Sequence, residues 1–233
     1  MLKPEKLKWD SDFFRLSIGQ ANVKSQNEIE YGITVDGFDL VYIVSDILLD
    51  STKQYSYHGT KVKFRKILRE ENDLFIKNIQ HIDFDYYNAY QDIINNIAYS
   101  SGYFSRFNQD SQFGRKRFQI LYDQWIENAL NNVHDNIFLV YKQNLTNIPV
   151  ALLTGMINID SEVSKVGLLG VDVNERGKKI GSSMLKYFEK EVMDNNQREI
   201  EIYTQIENSN ACRFYNAMGY DKENVQYIYH LWS

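Results

Sequence analysis

The densest cluster of chemically useful residues lies in LLGVDVNERGKKIGSSML, Leu168 to Leu185. An apolar, strand-like run passes through Glu175, Arg176 and Gly177 into a helix-like one. A helix N-terminus presents unpaired backbone N–H groups and a partial positive charge, and together these suit a phosphate. Gly177 and Gly181 carry no side chain, so a pyrophosphate can approach the backbone closely. Arg176, Lys178 and Lys179 add positive charge, and Ser182 adds a hydroxyl donor. Two familiar phosphate loops are excluded, because neither GxGxxG nor GxxxxGKS/T occurs here. Taken alone, the segment reads equally as an anion site and as an ordinary strand–turn–helix.

A second cluster follows in NSNACRFYNAMGY, Asn208 to Tyr220. Asn208 stands where a helix begins and its side chain would cap it. Ala211 and Tyr215 are four apart and share a helical face with Asn208. Gly219 is a natural stop. By itself this is a capped amphipathic helix with Phe214 and Tyr215 in the core. Cys212, the single cysteine, reads as an inert, part-buried thiol, since no histidine is near it in sequence.

The elements that must hold these clusters follow from periodicity. Phe118, Leu121, Tyr122, Trp125, Ile126, Ala129 and Leu130 mark one face of an amphipathic helix. NIFLVYK (Asn136 to Lys142), PVALLTGMIN (Pro149 to Asn158) and SEVSKVGLLGVDV (Ser161 to Val173) read as three strands joined by short turns, QNLTN and Ile159–Asp160. A helix from Lys178 repeats Ile180, Met184, Phe188 and Val192 on one face. Then come a strand at Glu199 to Ile206, a helix at Ser209 to Met218 and a strand in VQYIYHLW. The order α-β-β-β-α-β-α-β implies a mixed sheet covered by helices. The first ninety or so residues lean towards strand, with candidates at Phe38 to Asp46 and Lys61 to Leu68 and a polar helix around Tyr86 to Tyr99.

Bulk properties narrow the partners. Of 233 residues, 43% are hydrophobic, enough for a sizeable core. A net charge of -5 offers no footprint for nucleic acid. His58, His81, His134 and His230 have no ligand-like spacing along the chain, so no metal is expected. The N-terminus lacks the apolar run of a signal peptide and no later run approaches a membrane span, so the expected location is the cytoplasm, with no membrane partner. A homodimer is left open.

Together, VDVNERGKKIG and NSNACRFYNAMGY resemble the GNAT superfamily of acyl-CoA N-acyltransferases. The superfamily pattern Q/R-x-x-G-x-G/A begins at Arg176 and ends at Gly181, with Lys179 where the first glycine is usual. The later pattern N-x-x-A-x-x-F-Y-x-x-x-G-F/Y is matched by Asn208, Ala211, Phe214, Tyr215, Gly219 and Tyr220. Further stretches, LKWDSDFFRLSIG (Leu7 to Gly19), SGYFSRFNQDSQF (Ser101 to Phe113) and LYDQWIENAL, resemble a subgroup, the TDP-fucosamine acetyltransferases. These N-acetylate the 4-amino group of a nucleotide-linked deoxysugar.

The resemblance implies an α/β GNAT fold, a mixed and mostly antiparallel sheet flanked by helices. It implies a smaller N-terminal, substrate-side α/β domain over 1–92 and an acetyltransferase domain over 93–233. It implies acetyl-CoA as co-substrate, held by Leu169, Gly170, Val171, Arg176, Gly177, Lys178, Lys179, Ile180, Gly181, Ser182, Asn208, Ala211 and Phe214. Val171 N–H would meet the carbonyl oxygen, Leu169 and Val171 would pair with the pantetheine arm, and Tyr215 would be the acid. Lys179 is expected to keep a backbone that a β-carbon tolerates. The base is left unnamed, with a carboxylate acting through water expected. Arg106 is the substrate-side candidate, since an arginine fork suits a nucleotide diphosphate. Trp9, Phe13 and Phe14 are expected in the core between domains. Other amines (a protein N-terminus, lysine, peptide or polyamine) and a non-catalytic CoA-binding domain are the alternatives.

Overall fold

The computed structural model of the protein describes residues 1–30, 32–50, 54–69, 78–131, 136–143, 146–157 and 163–233. The N-terminal part contains β1 (Glu5–Lys6), α1 (Lys8–Phe14), β2 (Ile18–Val23), α2 (Gln26–Glu30), β3 (Leu40–Ser45), β4 (Ser56–Ile67) and β5 (Ile79–His81). Three helices follow: α3 (Phe84–Ser101), α4 (Arg106–Gln109) and α5 (Arg115–Leu130). The C-terminal part contains β6 (Asn136–Lys142), β7 (Pro149–Met156), β8 (Val163–Val171), α6 (Ile180–Asp194), β9 (Glu199–Gln205), α7 (Ser209–Ala217) and β10 (Asp221–Trp232). The expected turn at Ile159 and Asp160, and the residues beside it, lie outside the described residues.

All ten strands form one sheet in the order β1-β2-β3-β10-β4-β9-β8-β7-β6-β5. Its pairs are antiparallel except β2 with β3 and β8 with β9. This is the expected mixed, mostly antiparallel sheet flanked by helices. β4 comes from the first ninety residues yet lies between β9 and β10. The sheet therefore runs straight across the boundary expected after residue 92.

Helices cover both faces, which is why β7 is buried along almost its whole length instead of alternating. On one face, Ile180, Met184, Phe188 and Val192 of α6 pack with Leu153, Ile202 and Phe64. The four-residue spacing of that stripe is what makes α6 a helix with a core-facing side. On the other face α3 and α5 enclose an aromatic core of Phe14, Tyr42, Phe107, Phe113 and Phe118. Phe14 is thus core, but Trp9 is not: it is 51% exposed, stacked at 4.8 Å on Phe13 at the surface. A seven-residue helix on the rim of the sheet has too little neighbouring mass to cover so large a ring.

One buried polar cluster ties the N-terminal part to the end of α7. Glu189 of α6 accepts hydrogen bonds from Lys66 Nζ at 2.8 Å and Tyr220 OH at 3.0 Å. Lys66 also donates to Met218 O at 2.9 Å, closing the C-terminus of α7. Removing the carboxylate strands a part-buried ammonium and a buried phenol. Glu189→Ala should therefore destabilise the fold by about 2–4 kcal/mol. Glu189→Gln should cost less, and urea midpoints of the two variants make the comparison.

Candidate functional site

The site lies where β8 and β9 part. They pair only from Val163–Val166 against Glu199–Ile202. Past that point β8 stays with β7 while β9 runs on to Gln205. Asp172 N donates to Val150 O and Leu168 N to Thr154 Oγ1, both toward the β7 side. Strand alternation then turns the N–H groups of Leu169 and Val171 to the opposite edge, the one β9 has left. A run of backbone donors and acceptors is thus left facing a gap.

Two cavities meet at that gap. One, of about 740 Å³, is lined by Leu169, Gly170 and Val171, by Glu175, Arg176, Gly177 and Lys179, and by Ile180, Gly181 and Ser182 at the start of α6. Phe214 of α7 closes its side. The other, of about 480 Å³, reaches from Arg106 and Trp125 to Gln20, His58 and Lys61. Ser101, Leu169, Asn208, Ala211 and Tyr215 line both cavities. The strand, loop and helix of the first sequence cluster and the helix of the second therefore converge on one wall.

Each loop residue has a definite task. Gly177 has φ of +80°, a conformation that favours glycine, and nothing stands within 4 Å of where a β-carbon would be. Arg176 donates through Nε to Val171 O at 3.1 Å and through its guanidinium to Ser100 Oγ at 3.3 Å. It braces the loop against the strand end and α3. Lys178 stands outside the cavity lining, with its ammonium 2.9 Å from Glu175. Lys179 corrects an expectation: as N-cap of α6 it has φ of +61° and ψ of 11°, the left-handed region, not a conformation a β-carbon accepts freely. The tight entry into α6 sets that angle, and it leaves the N–H groups of Ile180, Gly181 and Ser182 aimed out of the helix.

On α7, Asn208 Oδ1 caps Ala211 N at 3.2 Å, as the sequence implied. Tyr215 is buried, with its ring 5.3 Å from Phe214 and 5.5 Å from Phe64. Burial, helped by Cys212, pushes its phenol well above the ordinary value, so the group stays protonated. Cys212 is itself held against Gln205 O, and burial raises its thiol.

Across the shared wall, the Arg106 guanidinium carbon lies 4.0 Å from the centroid of the Tyr42 ring and 4.6 Å from that of the Phe107 ring. Burial lowers its pKa, but a guanidinium remains charged. Behind it the fold assembles a group that linear spacing hid: His58 of β4, His230 of β10 and Asp110 after α4. His230 Nδ1 donates to Asp110 Oδ2 at 2.6 Å, and Trp232 Nε1 donates to the same oxygen at 2.9 Å. His58 Nε2 lies 3.9 Å from that oxygen. These three residues have the mutual spacing of metal ligands. The donors already turned on Asp110, with Arg106 nearby, make the group read as a hydrogen-bonded network. Among the residues lining this second cavity there is no carboxylate. Nothing in the sequence could announce the cluster, because His58 and His230 meet through the pairing of β4 with β10 and Asp110 reaches them from the end of α4.

Residues 99–220 match the model of the acetyltransferase (GNAT) family. The chain belongs to that family. It is similar to the spore coat polysaccharide biosynthesis protein SpsD of Bacillus subtilis (strain 168), at 27% identity over 128 residues, 55% of this chain and 43% of that protein. The matched stretch thus spans less than half the length of that curated relative. Its fold is similar to a functionally unknown conserved protein from Staphylococcus epidermidis ATCC 12228, with TM-score 0.61, 12% identity and coverage of 93% of this chain and 85% of that one. A GCN5-related N-acetyltransferase from Kribbella flavida matches with TM-score 0.51 and 12% identity over 92% of this chain and 81% of that one. Among the described residues no helix is long and apolar enough to cross a membrane.

The left-handed Lys179 occupies the position where the family pattern has glycine. Lys179→Gly should remove backbone strain and raise stability by roughly 0.5–1 kcal/mol, net of the freedom glycine adds to the unfolded chain. A fall in the urea midpoint would contradict strain at this position.

Proposed function

We propose that the chain transfers the acetyl group of acetyl-CoA to the amine of a nucleotide-linked amino-deoxysugar, in the biosynthesis of a surface polysaccharide. The observation that carries this reading is the meeting of two cavities at Leu169, Asn208, Ala211 and Tyr215. One has a helix N-terminus and a free strand edge. The other is polar and bears a half-buried cation, Arg106.

The residues of the first cavity fit the co-substrate. The N–H groups of Ile180, Gly181 and Ser182, with the dipole of α6 behind them, would hold its diphosphate. The open edge of β8 would pair with the pantetheine arm as an added strand does. The amide nitrogen of Asn208 would remain for a pantetheine carbonyl, since its oxygen caps α7. Acetyl-CoA supplies a thioester, a carbonyl carbon open to an amine and a thiol as leaving group.

The chain's own residues then have three tasks. The N–H of Val171, aimed into the gap, steadies negative charge gathering on the carbonyl oxygen. Tyr215, kept protonated by burial, gives its proton to the departing sulfur. A raised phenol is a poor acid in water. Here sulfur sheds its charge in the same dry wall, and desolvation raises the basicity of both groups together. Arg106 would orient the acceptor by its diphosphate, and Lys61, whose ammonium lies 4.3 Å over the Tyr203 ring, adds a second cation to that cavity.

The polar, charged lining supports a small anionic acceptor. The part of the similar Bacillus subtilis protein in spore coat polysaccharide biosynthesis supports a polysaccharide precursor. Thiol release from acetyl-CoA, measured with a panel of TDP-amino sugars, peptides and polyamines, should show turnover with the sugars. Turnover confined to peptides or polyamines would sink the acceptor assignment. With the accepted amine, Tyr215→Phe should lower kcat about a hundredfold or more while acetyl-CoA affinity changes only a few-fold. Equal losses in both would contradict the acid role.

A further inference from the structure

We propose that His58 is the base of the transfer, taking the proton of the attacking amine, with the nearby Asp110 carboxylate steadying the charge it gains. This rests on the acetyl-transfer reading but not on the identity of the amine. The base has to face the acceptor side of the wall that holds Tyr215. Among the residues lining that cavity, His58 is the one group that is both neutral by chemistry at working pH and backed by a carboxylate.

The backbone places it there by a bulge. β4 and β10 pair Tyr57 with Tyr229 and Gly59 with Ile228, so His58 is an extra residue with no partner of its own. Gly59 has φ of +133°, which glycine tolerates and other residues rarely adopt. A bulge of this kind bends the strand and re-aims a side chain. His58 turns onto the face of His230, ring centroids 4.5 Å apart and planes 33° apart. Without the bulge, strict alternation from Tyr57 would fix the side chain by strand register alone.

The network places a fixed negative charge beside the ring. Asp110 Oδ1 accepts the backbone N–H groups of Gln112 at 2.9 Å and Phe113 at 3.2 Å. Burial would raise the Asp110 carboxyl, yet hydrogen bonds from His230 and Trp232 outweigh it and hold the group ionised. An ionised carboxylate only accepts, so the His230 nitrogen bonded to it carries a proton. His58 Nε2 lies 2.7 Å from Ser56 Oγ and 3.9 Å from Asp110 Oδ2, in the field of the carboxylate without a direct bond to it. For His58 Nδ1 to take the proton, Nε2 carries the ring N–H and donates it to Ser56 Oγ. The arrangement is a histidine held by Ser56 and by the face of His230, beside an ionised carboxylate whose charge favours the ring after it takes a proton.

The groups facing His58 set its charge state. Burial lowers its pKa from the ordinary 6.5, Asp110 partly offsets that, and Arg106 lowers it again. His230, pushed down to about 4 by burial, is neutral and adds no charge. Ser56 and Lys61 are the remaining polar neighbours on β4, and Tyr42 lies under Arg106. His58 is therefore an unprotonated base at neutral pH.

The bookkeeping of the step closes. The nitrogen lone pair forms the C–N bond, and the C–S bond breaks with its pair going to sulfur. One proton leaves nitrogen for His58 Nδ1, and one leaves Tyr215 for sulfur. The proton on His58 returns to solvent, and the Tyr215 phenolate takes one back. The net products are an amide and a thiol.

The test uses the full chain with acetyl-CoA and whichever amine turns over. Wild type should show an acid limb in kcat/KM centred below the ordinary histidine value of 6.5, because burial lowers the His58 pKa and protonated His58 cannot act. His58→Gln should lose about a hundredfold in kcat, lose that limb and keep acetyl-CoA affinity. For His58→Ala, added imidazole should restore rate in proportion to its free base. Imidazole ¹⁵N shifts of wild type should report a neutral ring with the proton on Nε2 at pH 7, a reading that needs no variant to fold. A retained limb with near-normal kcat in His58→Gln would overturn the base alone, as would an imidazolium at pH 8. Loss of activity on EDTA treatment, restored by Zn²⁺, would overturn it in favour of a metal held by His58, Asp110 and His230. Failure of wild type to acetylate any amine would overturn the transfer reading and the base with it.

Discussion

The parting of β8 from β9 is the constraint on which the rest of the site depends. A parallel pair normally keeps its ladder once begun, because each lost hydrogen bond leaves a donor and an acceptor to be satisfied elsewhere. Here the pair ends at Val166 and Ile202, and β8 follows β7. The cost falls on the backbone N–H groups of Leu169 and Val171, on the edge that β9 has left, while Arg176 satisfies the Val171 carbonyl. That debt is what a bound ligand can satisfy. The helices then have no freedom about where to begin. The connection between parallel strands must cross over the sheet, and α6 does so, starting beside the free edge. α7 leaves the diverging end of β9 and brings Tyr215 and Asn208 to the same gap.

Insertion of β4 between β9 and β10 builds the walls of both cavities into one sheet. A substrate domain attached by a linker would let the two cavities move apart. Here β4 pairs along seven residues of β9 and has two bulges against β10. The ion pairs of Lys63 and Arg65 with Glu199, Glu201 and Glu223 lie across these three strands, near the surface, where each contributes little. The apolar residues Val62 and Phe64, fully buried under α6 and α7, do the holding. Two cavities in one sheet keep a fixed separation, the condition for placing an amine against a carbonyl.

Much of this was legible in the sequence wherever local periodicity and burial coincide. Ile180, Met184, Phe188 and Val192 are all buried on one face of α6. The strands read at 136–142, 149–158 and 199–206 are β6, β7 and β9, within a residue or two. β4 is longer than its alternating stretch, because its first residues pair with β10 alone and carry Ser56, His58 and Gly59 instead of an apolar pattern. β5, three residues long, is too short to leave a period. Lys179 shows only a side chain to the sequence, while its defining property is a backbone angle set by the turn into α6. The His58–Asp110–His230 group is invisible for a further reason: its geometry is a product of register between distant strands, and a bulge shifts that register by one.

Burial sorts the ionisable groups of the site into distinct roles. The same desolvation acts on Tyr215, on His58 and His230, and on Arg106, yet with opposite chemical results. It raises a phenol, so Tyr215 holds its proton. It lowers an imidazole, so the histidines stay neutral. It cannot discharge a guanidinium, so Arg106 remains the cation of the acceptor cavity. Asp110 alone escapes the rule, because four hydrogen-bond donors surround its two oxygens. A protonated phenol, neutral imidazoles and a fixed cation thus arise around the two cavities from one physical cause, desolvation, and the buried carboxylate behind them is the one exception to it.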